Sequence, residues 1–86
     1  MAMVKVLFFA RLREQLGSPQ LEVELDGVAT TVVELVDRLV VQGGERWASA
    51  LGADNLVFAV NQRVCAVDTL LCDGDELAIF PPVTGG

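Results

Sequence analysis

The chain lacks histidine and tyrosine, and it has a single lysine, Lys5. Without histidine it has no Ser-His or Cys-His nucleophile pair, and it lacks the most common metal ligand. Acidic residues outnumber basic ones by 12 to 6, and the resulting net charge of −6 excludes non-specific nucleic-acid binding, which needs clustered Lys and Arg. The same charge argues against an anionic membrane surface as a partner. Little is left from which to build an active site inside the domain.

Long hydrophobic runs are also missing. No apolar stretch approaches the ~20 residues of a membrane span, and residues 6–10 are too few for a signal-peptide core. Cys65 and Cys72 are the only cysteines, and their spacing fits neither CxxC nor a zinc site. We therefore expect a cytoplasmic protein whose reduced thiols fill space as small hydrophobes. A redox role of the two thiols stays open as the alternative.

What is present is a short and strongly apolar chain. Its 86 residues suffice for one domain with a modest core. Hydrophobic residues make up 52% of the chain, which is high for this size. That content indicates either a sheet that is apolar on both faces or an apolar patch kept for a partner.

Alternating hydrophobicity predicts five strands, and a capping signal with helical spacing predicts the main helix. Thr31 and Glu34 have the spacing of a capping box, and the apolar positions after them fit one face of a helix that ends at Gly43. A short second helix, with Trp47 turned inward, is expected at residues 45–51, and a helical turn is expected within residues 10–18. The expected strands are residues 4–9, 20–26, 56–60, 63–67 and 76–80.

This order of elements predicts an α+β fold of the β-grasp type: a mixed five-stranded sheet, one main helix across one face and a short second helix. The right-handed crossover rule makes the first strand and the last strand parallel neighbours. The carboxyl ends of these two strands then meet. Phe9 and Phe80 are expected side by side there, on the face away from the helix.

The chain divides into a domain, residues 1–80, and a flexible diglycine tail, residues 81–86. Pro81-Pro82 cannot donate ladder hydrogen bonds, so the sheet stops and the tail has a stiff base. From Pro81 the tail could extend about 20 Å. Because glycine has no side chain, Gly85-Gly86 could thread a narrow channel in another protein.

The carboxyl group of Gly86 is the chemical element of this tail. A carboxylate is a poor electrophile, so a partner would first activate it as an acyl-adenylate. An amine would then give an isopeptide bond, and a sulfur donor would give a thiocarboxylate, which is a good sulfur nucleophile.

Two segments resemble the small subunit of molybdopterin synthase: KVLFFARLRE at residues 5–14 and DGDELAIFPPVTGG at residues 73–86. With ERWA at 45–48 and VNQ at 60–62, the likeness runs along essentially the whole chain. The closing motif is the specific part, because its acidic turn, apolar strand, PPV and GG are hard to combine by chance.

The resemblance implies a ubiquitin-like β-grasp that carries sulfur and leaves catalysis to its partners. An adenylating enzyme related to ubiquitin-activating enzymes would use ATP to activate Gly86, and a sulfur donor would make the thiocarboxylate. The sulfur would then pass to cyclic pyranopterin monophosphate in molybdenum cofactor biosynthesis. The catalytic residues would lie on the large subunit, in a heterotetramer of two small and two large subunits. The chain itself would bind no cofactor and no metal.

The resemblance also assigns individual residues. Gly86 is the carrier position; the tail-threading residues are Pro81, Pro82, Val83, Thr84 and Gly85; the large-subunit contacts are Phe9, Arg13, Val64 and Phe80.

Three alternatives remain at this point. A related sulfur carrier of thiamin thiazole synthesis would use the same tail chemistry, and a protein modifier would pass Gly86 to lysines. A non-covalent interaction module would keep its function after deletion of Gly85-Gly86.

Overall fold

The computed structural model describes residues 2–25, 30–52 and 56–81. Within these ranges no helix is long and apolar enough to cross a membrane. In chain order the elements are β1 (Ala2–Phe8), α1 (Arg11–Leu16), β2 (Gln20–Leu25), β3 (Thr30–Thr31), α2 (Val32–Gly43), α3 (Glu45–Leu51), β4 (Val57–Val60), β5 (Arg63–Cys65), β6 (Leu70–Leu71) and β7 (Glu76–Phe80).

Five of the strands form one mixed sheet in the order β2-β1-β7-β4-β5. The central pair, β1 and β7, is parallel, with Val6 opposite Leu77 and Phe8 opposite Ile79. The remaining pairs in this sheet are antiparallel. The predicted five-stranded mixed sheet is therefore confirmed, as is the parallel pairing of the first and last strands.

The alternation along β1 decides which sheet face is covered. Val4 and Val6 are 0% exposed, whereas Lys5 between them is exposed. On β7, Leu77 opposite Val6 and Ile79 opposite Phe8 are also 0% exposed. The core continues into α2 through Val32, Leu35, Val36 and Leu39. The main helix thus packs across one face of the sheet, as predicted.

The predicted capping box begins α2. The Thr31 Oγ1 accepts a hydrogen bond from the Glu34 N–H at 3.3 Å, and the Glu34 Oε1 accepts one from the Thr31 N–H at 3.0 Å. At the other end a Cβ on Gly43 would overlap the Trp47 ring, so this position requires glycine. Trp47 in turn meets Phe8 edge-on, with ring centroids 5.5 Å apart. The short helix α3 is thereby fixed against the core, as its inward-facing Trp47 predicts.

The structure adds two features to the prediction. The segment expected to hold one helical turn is the helix α1, because Leu12 and Leu16 are both buried. The strands β3 and β6 form a separate two-stranded antiparallel sheet. No pattern predicted them, since two-residue strands are too short to show alternation.

The predicted strand over residues 63–67 is too long, because β5 ends at Cys65. The carbonyl of Val67 accepts a hydrogen bond from the Val33 N–H at 2.9 Å, and that of Thr69 accepts one from the Val32 N–H at 3.0 Å. These bonds draw the chain away from the sheet and toward the beginning of α2.

Candidate functional site: the open face of the sheet

The sheet face opposite α2 carries an apolar surface at the end where β1 and β7 finish. The register aligns one row across four strands, with Leu7 beside Ala78, Ala78 beside Ala59 and Ala59 beside Val64. The next row places Phe80 beside Val57. We call this surface the open-face patch; its residues are Leu7, Phe9, Val57, Ala59, Val64, Ala78 and Phe80. The two alanines are buried, so the other five residues provide its accessible area.

Phe9 and Phe80 are stacked at the centre of this end. Their ring centroids are 4.6 Å apart and their planes differ by 11°. Phe9 stays 38% exposed and Phe80 is half-buried. The prediction that these two rings lie together is confirmed. Such a pair contributes about 0.5–1.5 kcal/mol beyond the area it buries, and it leaves an aromatic surface available for contact.

The backbone holds Phe9 on both sides. Its N–H donates to the Ile79 carbonyl at 3.3 Å, and its own carbonyl accepts from the Leu12 N–H at 3.2 Å. The residue that follows Phe9, Ala10, has φ 54°, a left-handed conformation that alanine rarely adopts. Burial of Leu12, 2% exposed, keeps this turn in place. The exposed Arg13 follows one turn further, in α1.

The open face of the sheet is charged at one end and apolar at the other. At its far end Lys5 lies opposite Glu22 on one side and Glu76 on the other. At the apolar end, toward the β5 edge, Val64 is 78% exposed. The half-buried Pro81 leaves the sheet directly after Phe80, so the base of the tail adjoins the patch.

The other predicted tail residues, Pro82, Val83, Thr84, Gly85 and Gly86, lie outside the described residues.

The geometry of this face is that of a binding surface. In the described part of the chain, no cluster of three or more His, Cys, Asp or Glu is placed to hold a metal ion. Cys65 is half-buried opposite Phe58, Cys72 is exposed, and both thiols are free. The pKa of Glu34 is lowered by the hydrogen bond from the Thr31 N–H and then by the one from its hydroxyl, but these groups belong to the helix cap.

Sequence reasoning missed part of the patch. Leu7 and Ala78 alternate in step with Phe9 and Phe80 along their strands and so belong to the predicted outer face, yet Val57 and Ala59 gave no signal as patch members. Their place depends on the pairing of β4 with β7, which is a tertiary contact.

Comparison with known proteins gives a consistent result. The ThiS family model matches residues 6–86. A molybdopterin synthase sulfur carrier subunit of Escherichia coli is 49% identical over 84 residues, covering 98% of this chain and 100% of the relative.

Solved structures share the fold. SAMP1, a small archaeal modifier protein of Haloferax volcanii, superposes with a TM-score of 0.79 at 32% identity, covering 99% of this chain and 100% of that one. A chain from the complex of subunits 1 and 2 of molybdopterin-converting factor of Helicobacter pylori has a TM-score of 0.65 at 28% identity, covering 98% and 99%. By sequence and by fold, the chain therefore belongs to the ThiS family of ubiquitin-like β-grasp proteins.

Proposed function

We propose that this protein is the sulfur carrier subunit of a molybdopterin synthase, with Gly86 as the carrier position. The observation that carries the proposal is the end-to-end similarity to the Escherichia coli sulfur carrier subunit. The ThiS family match extends over residues 6–86 and therefore includes Gly85 and Gly86. The open-face patch beside the base of the tail supports it, since a carrier needs a surface that directs its tail into each partner.

The proposed chemistry takes place at the Gly86 carboxylate. One carboxylate oxygen attacks the α-phosphorus of ATP, and pyrophosphate leaves. Hydrosulfide from the donor then attacks the acyl carbon, AMP leaves with that oxygen, and the S–H proton passes to solvent. The product is a thiocarboxylate, whose sulfur is nucleophilic for the reason a thiolate is. Because this activation uses ATP, we place it in the cytoplasm.

We further propose that the large subunit covers the open-face patch. The Helicobacter pylori structure is a complex of subunits 1 and 2, so a relative of this chain binds a second subunit. Phe9, Phe80 and Val64 are exposed or half-buried apolar side chains on one face, and Arg13 is exposed on the helix that follows Phe9. Aromatic residues and arginine are the types enriched where interfaces bind tightly. The tail would enter the large subunit from the edge of this contact.

The carrier chemistry is tested by intact mass. The protein is incubated with ATP, an adenylating enzyme and a sulfide source, beside a variant that lacks Gly86. We expect a mass gain that matches one oxygen replaced by sulfur in the full chain and no gain in the truncated one. A full chain that never changes mass with competent enzymes would overturn the proposal. Adding the large subunit and the pterin precursor then separates the molybdenum pathway from thiazole synthesis.

The docking surface is tested with a matched pair of exposed valines. Val64 is 78% exposed on the open face, and Val41 is 82% exposed on α2. We expect Val64→Asp to weaken binding of the large subunit at least about tenfold, because it places a charge within an apolar contact. Val41→Asp should leave the affinity unchanged. Equal affinities of the two variants would exclude the open-face patch as the docking surface.

One observation favours a second candidate, a protein modifier. The similarity to SAMP1 spans nearly the whole of both chains. In that case the activated Gly86 would pass to a lysine and form an isopeptide bond. Mass spectrometry of tryptic peptides after reaction with the activating enzyme and cell proteins distinguishes the two. Trypsin cuts this chain last after Arg63, so only a modifier leaves the fragment of residues 64–86 attached to lysines.

A further inference from the structure

A groove runs along the β2 edge of the main sheet, on the side opposite the β5 edge. The strand β2 forms this edge and has a neighbour, β1, on one side only. Between β2 and the helices lies a groove of about 410 Å³. Its walls include Leu21, Val23, Arg38, Leu39 and Trp47. This volume is within the range of sites that bind ligands or side chains.

The groove exists because α2 covers the centre of the sheet better than its edge. Leu21 and Val23 point to the helix side, yet both are only half-buried. Their partners on β1, Val6 and Val4, are 0% exposed. The apolar side chains of β2 therefore keep surface that a further strand could cover.

The backbone of β2 offers hydrogen bonds along the same edge. The Phe8 N–H donates to the Pro19 carbonyl at 3.0 Å, which sets the alternation of the antiparallel ladder. By that alternation Glu22 and Glu24 direct their N–H and C=O groups away from β1. The Arg38 Nη1 donates to the Glu24 carbonyl at 3.0 Å, as expected for an outward-facing group.

The charges on the β2 edge indicate which kind of segment would bind there. Glu22 and Glu24 border the groove and are exposed, and because they alternate with Leu21 and Val23 along β2, their side chains point to the opposite face of the sheet. On an added strand, the side chains that lie beside Glu22 and Glu24 are favoured when they are basic. The side chains that alternate with these basic ones would point to the other face and fit the apolar groove. A second copy of β2 would bring glutamates against glutamates and is disfavoured.

We propose that β2 takes up an extended segment of another polypeptide, with alternating apolar and basic residues, as a sixth strand of the sheet. This mode of recognition combines main-chain hydrogen bonds with pockets for alternate side chains. It is separate from the open-face patch, so it does not depend on the proposed sulfur chemistry.

Arg38 restricts this site. Its guanidinium occupies the Glu24 carbonyl that an added strand would bond, and its charge lies in the groove that a basic segment approaches. Strand addition must displace this contact. Removal of Arg38 is therefore expected to increase affinity, whereas loss of the glutamates is expected to reduce it.

The test uses a synthetic peptide of about ten residues, the upper length of common strands, with alternating valine and lysine and blocked ends. It is titrated into the ¹⁵N-labelled full chain to about 2 mM, which detects binding in the millimolar range. We expect amide shifts at Glu22, Glu24 and Trp47. A peptide N-methylated at every second residue loses the backbone donors on one edge and should not bind. An absence of shifts, or shifts centred on Phe9 and Val64, would overturn the proposal.

Protein variants then test the residues. Glu24→Lys should weaken peptide binding about fivefold, because it converts an attractive cross-strand pair into a repulsive one. Glu14→Lys makes the same charge change at an exposed position on α1 and should have little effect. Arg38→Gln should raise the affinity. Equal weakening by the two lysine variants, or weaker binding by Arg38→Gln, would contradict strand addition at β2.

Discussion

At the scale of the residue, Glu34 is the ionisable group that the fold perturbs most clearly in the described part of the chain. Its carboxylate accepts hydrogen bonds from the backbone N–H and the hydroxyl of Thr31, at 3.0 Å each, and these bonds lower its pKa. The charged form is therefore favoured in the folded protein. A group of this kind contributes stability above its unfolded pKa and loses that contribution as the pH falls through its folded pKa.

This predicts a pH-dependent effect of Glu34→Gln. At neutral pH the variant should have a lower free energy of unfolding than the parent, since the amide replaces a charged acceptor. The difference should shrink as the pH falls below the ordinary glutamate range, because the parent carboxylate also becomes neutral. Urea unfolding at a series of pH values measures it.

Glu14→Gln is the control for this experiment. Glu14 lies in the first turn of α1, where the N-cap residue makes no side-chain capping hydrogen bond. Its substitution should have a small effect with little pH dependence. The same pH dependence in both variants would remove the capping box as the cause.

Some features of single residues follow from the sequence pattern, and others depend on tertiary contacts. The capping box was predicted because Thr31 and Glu34 interact within one turn. The left-handed Ala10 was not predicted, since an alanine carries no signal for φ 54° and tertiary burial of Leu12 holds it there. Of the interface residues, alternation and topology brought Phe9 and Phe80 together, whereas Arg13 and Val64 were named through the family resemblance. Their role in binding stays a prediction.

At the scale of the element, the hairpin between β4 and β5 has an unusual turn. Asn61 and Gln62 have φ 51° and φ 71°, so both central residues are left-handed. Such a turn matches the twist of the strands and favours Asn-Gly. Asn61 is also tied to β7, since its Oδ1 accepts from the Glu76 N–H at 3.0 Å and its Nδ2 donates to the Asp75 Oδ1 at 2.9 Å. Because these hydrogen bonds hold Asn61 in place, we attribute the free-energy cost of the positive φ values to Gln62.

We predict that Gln62→Gly stabilises the protein by about 1 kcal/mol, because glycine adopts the left-handed conformation without the Cβ clash. The same substitution at Gln42, near the end of α2, should destabilise it by about 1 kcal/mol through loss of helix propensity. Urea denaturation of both variants measures whether the free energy of unfolding rises in Gln62→Gly and falls in Gln42→Gly. A loss of stability in Gln62→Gly would show that the turn adopts another conformation in solution.

Elements differed in how far the sequence predicted them. The strands β1, β2 and β7 and the helices α2 and α3 follow from alternation, capping and glycine stops. The pair β3 and β6 could not be found, since Thr30 and Leu71 are joined by a contact between distant parts of the chain. The end of β5 was misplaced for the same reason, because hydrogen bonds to the start of α2 divert residues 66–69.

At the scale of the whole molecule, the missing histidine has a measurable effect. Histidine is the one side chain whose ordinary pKa changes its charge between pH 5 and 8, and the chain has none. The net charge of −6 should therefore remain nearly constant through the neutral range. Electrostatic attraction to a basic partner would then be equally strong throughout it.

We accordingly predict that the free energy of unfolding changes by less than about 0.5 kcal/mol between pH 6 and 8. Thermal and urea unfolding at several pH values in one ionic strength provide the measurement. A steep slope in this window would reveal a titrating group that the fold perturbs strongly and would contradict the expectation.

The parallel pairing of β1 with β7 also bears on the synthesis of the protein. The strand β1 is synthesised before β7 and must wait for it, because the two strands pair with each other in the middle of the sheet. Contacts between distant parts of a chain slow folding. A nascent chain that stops before residue 76 therefore lacks the central strand, and it cannot bring Phe80 against Phe9. A partner that contacts this stacked pair would thereby engage chains whose translation has passed the last strand.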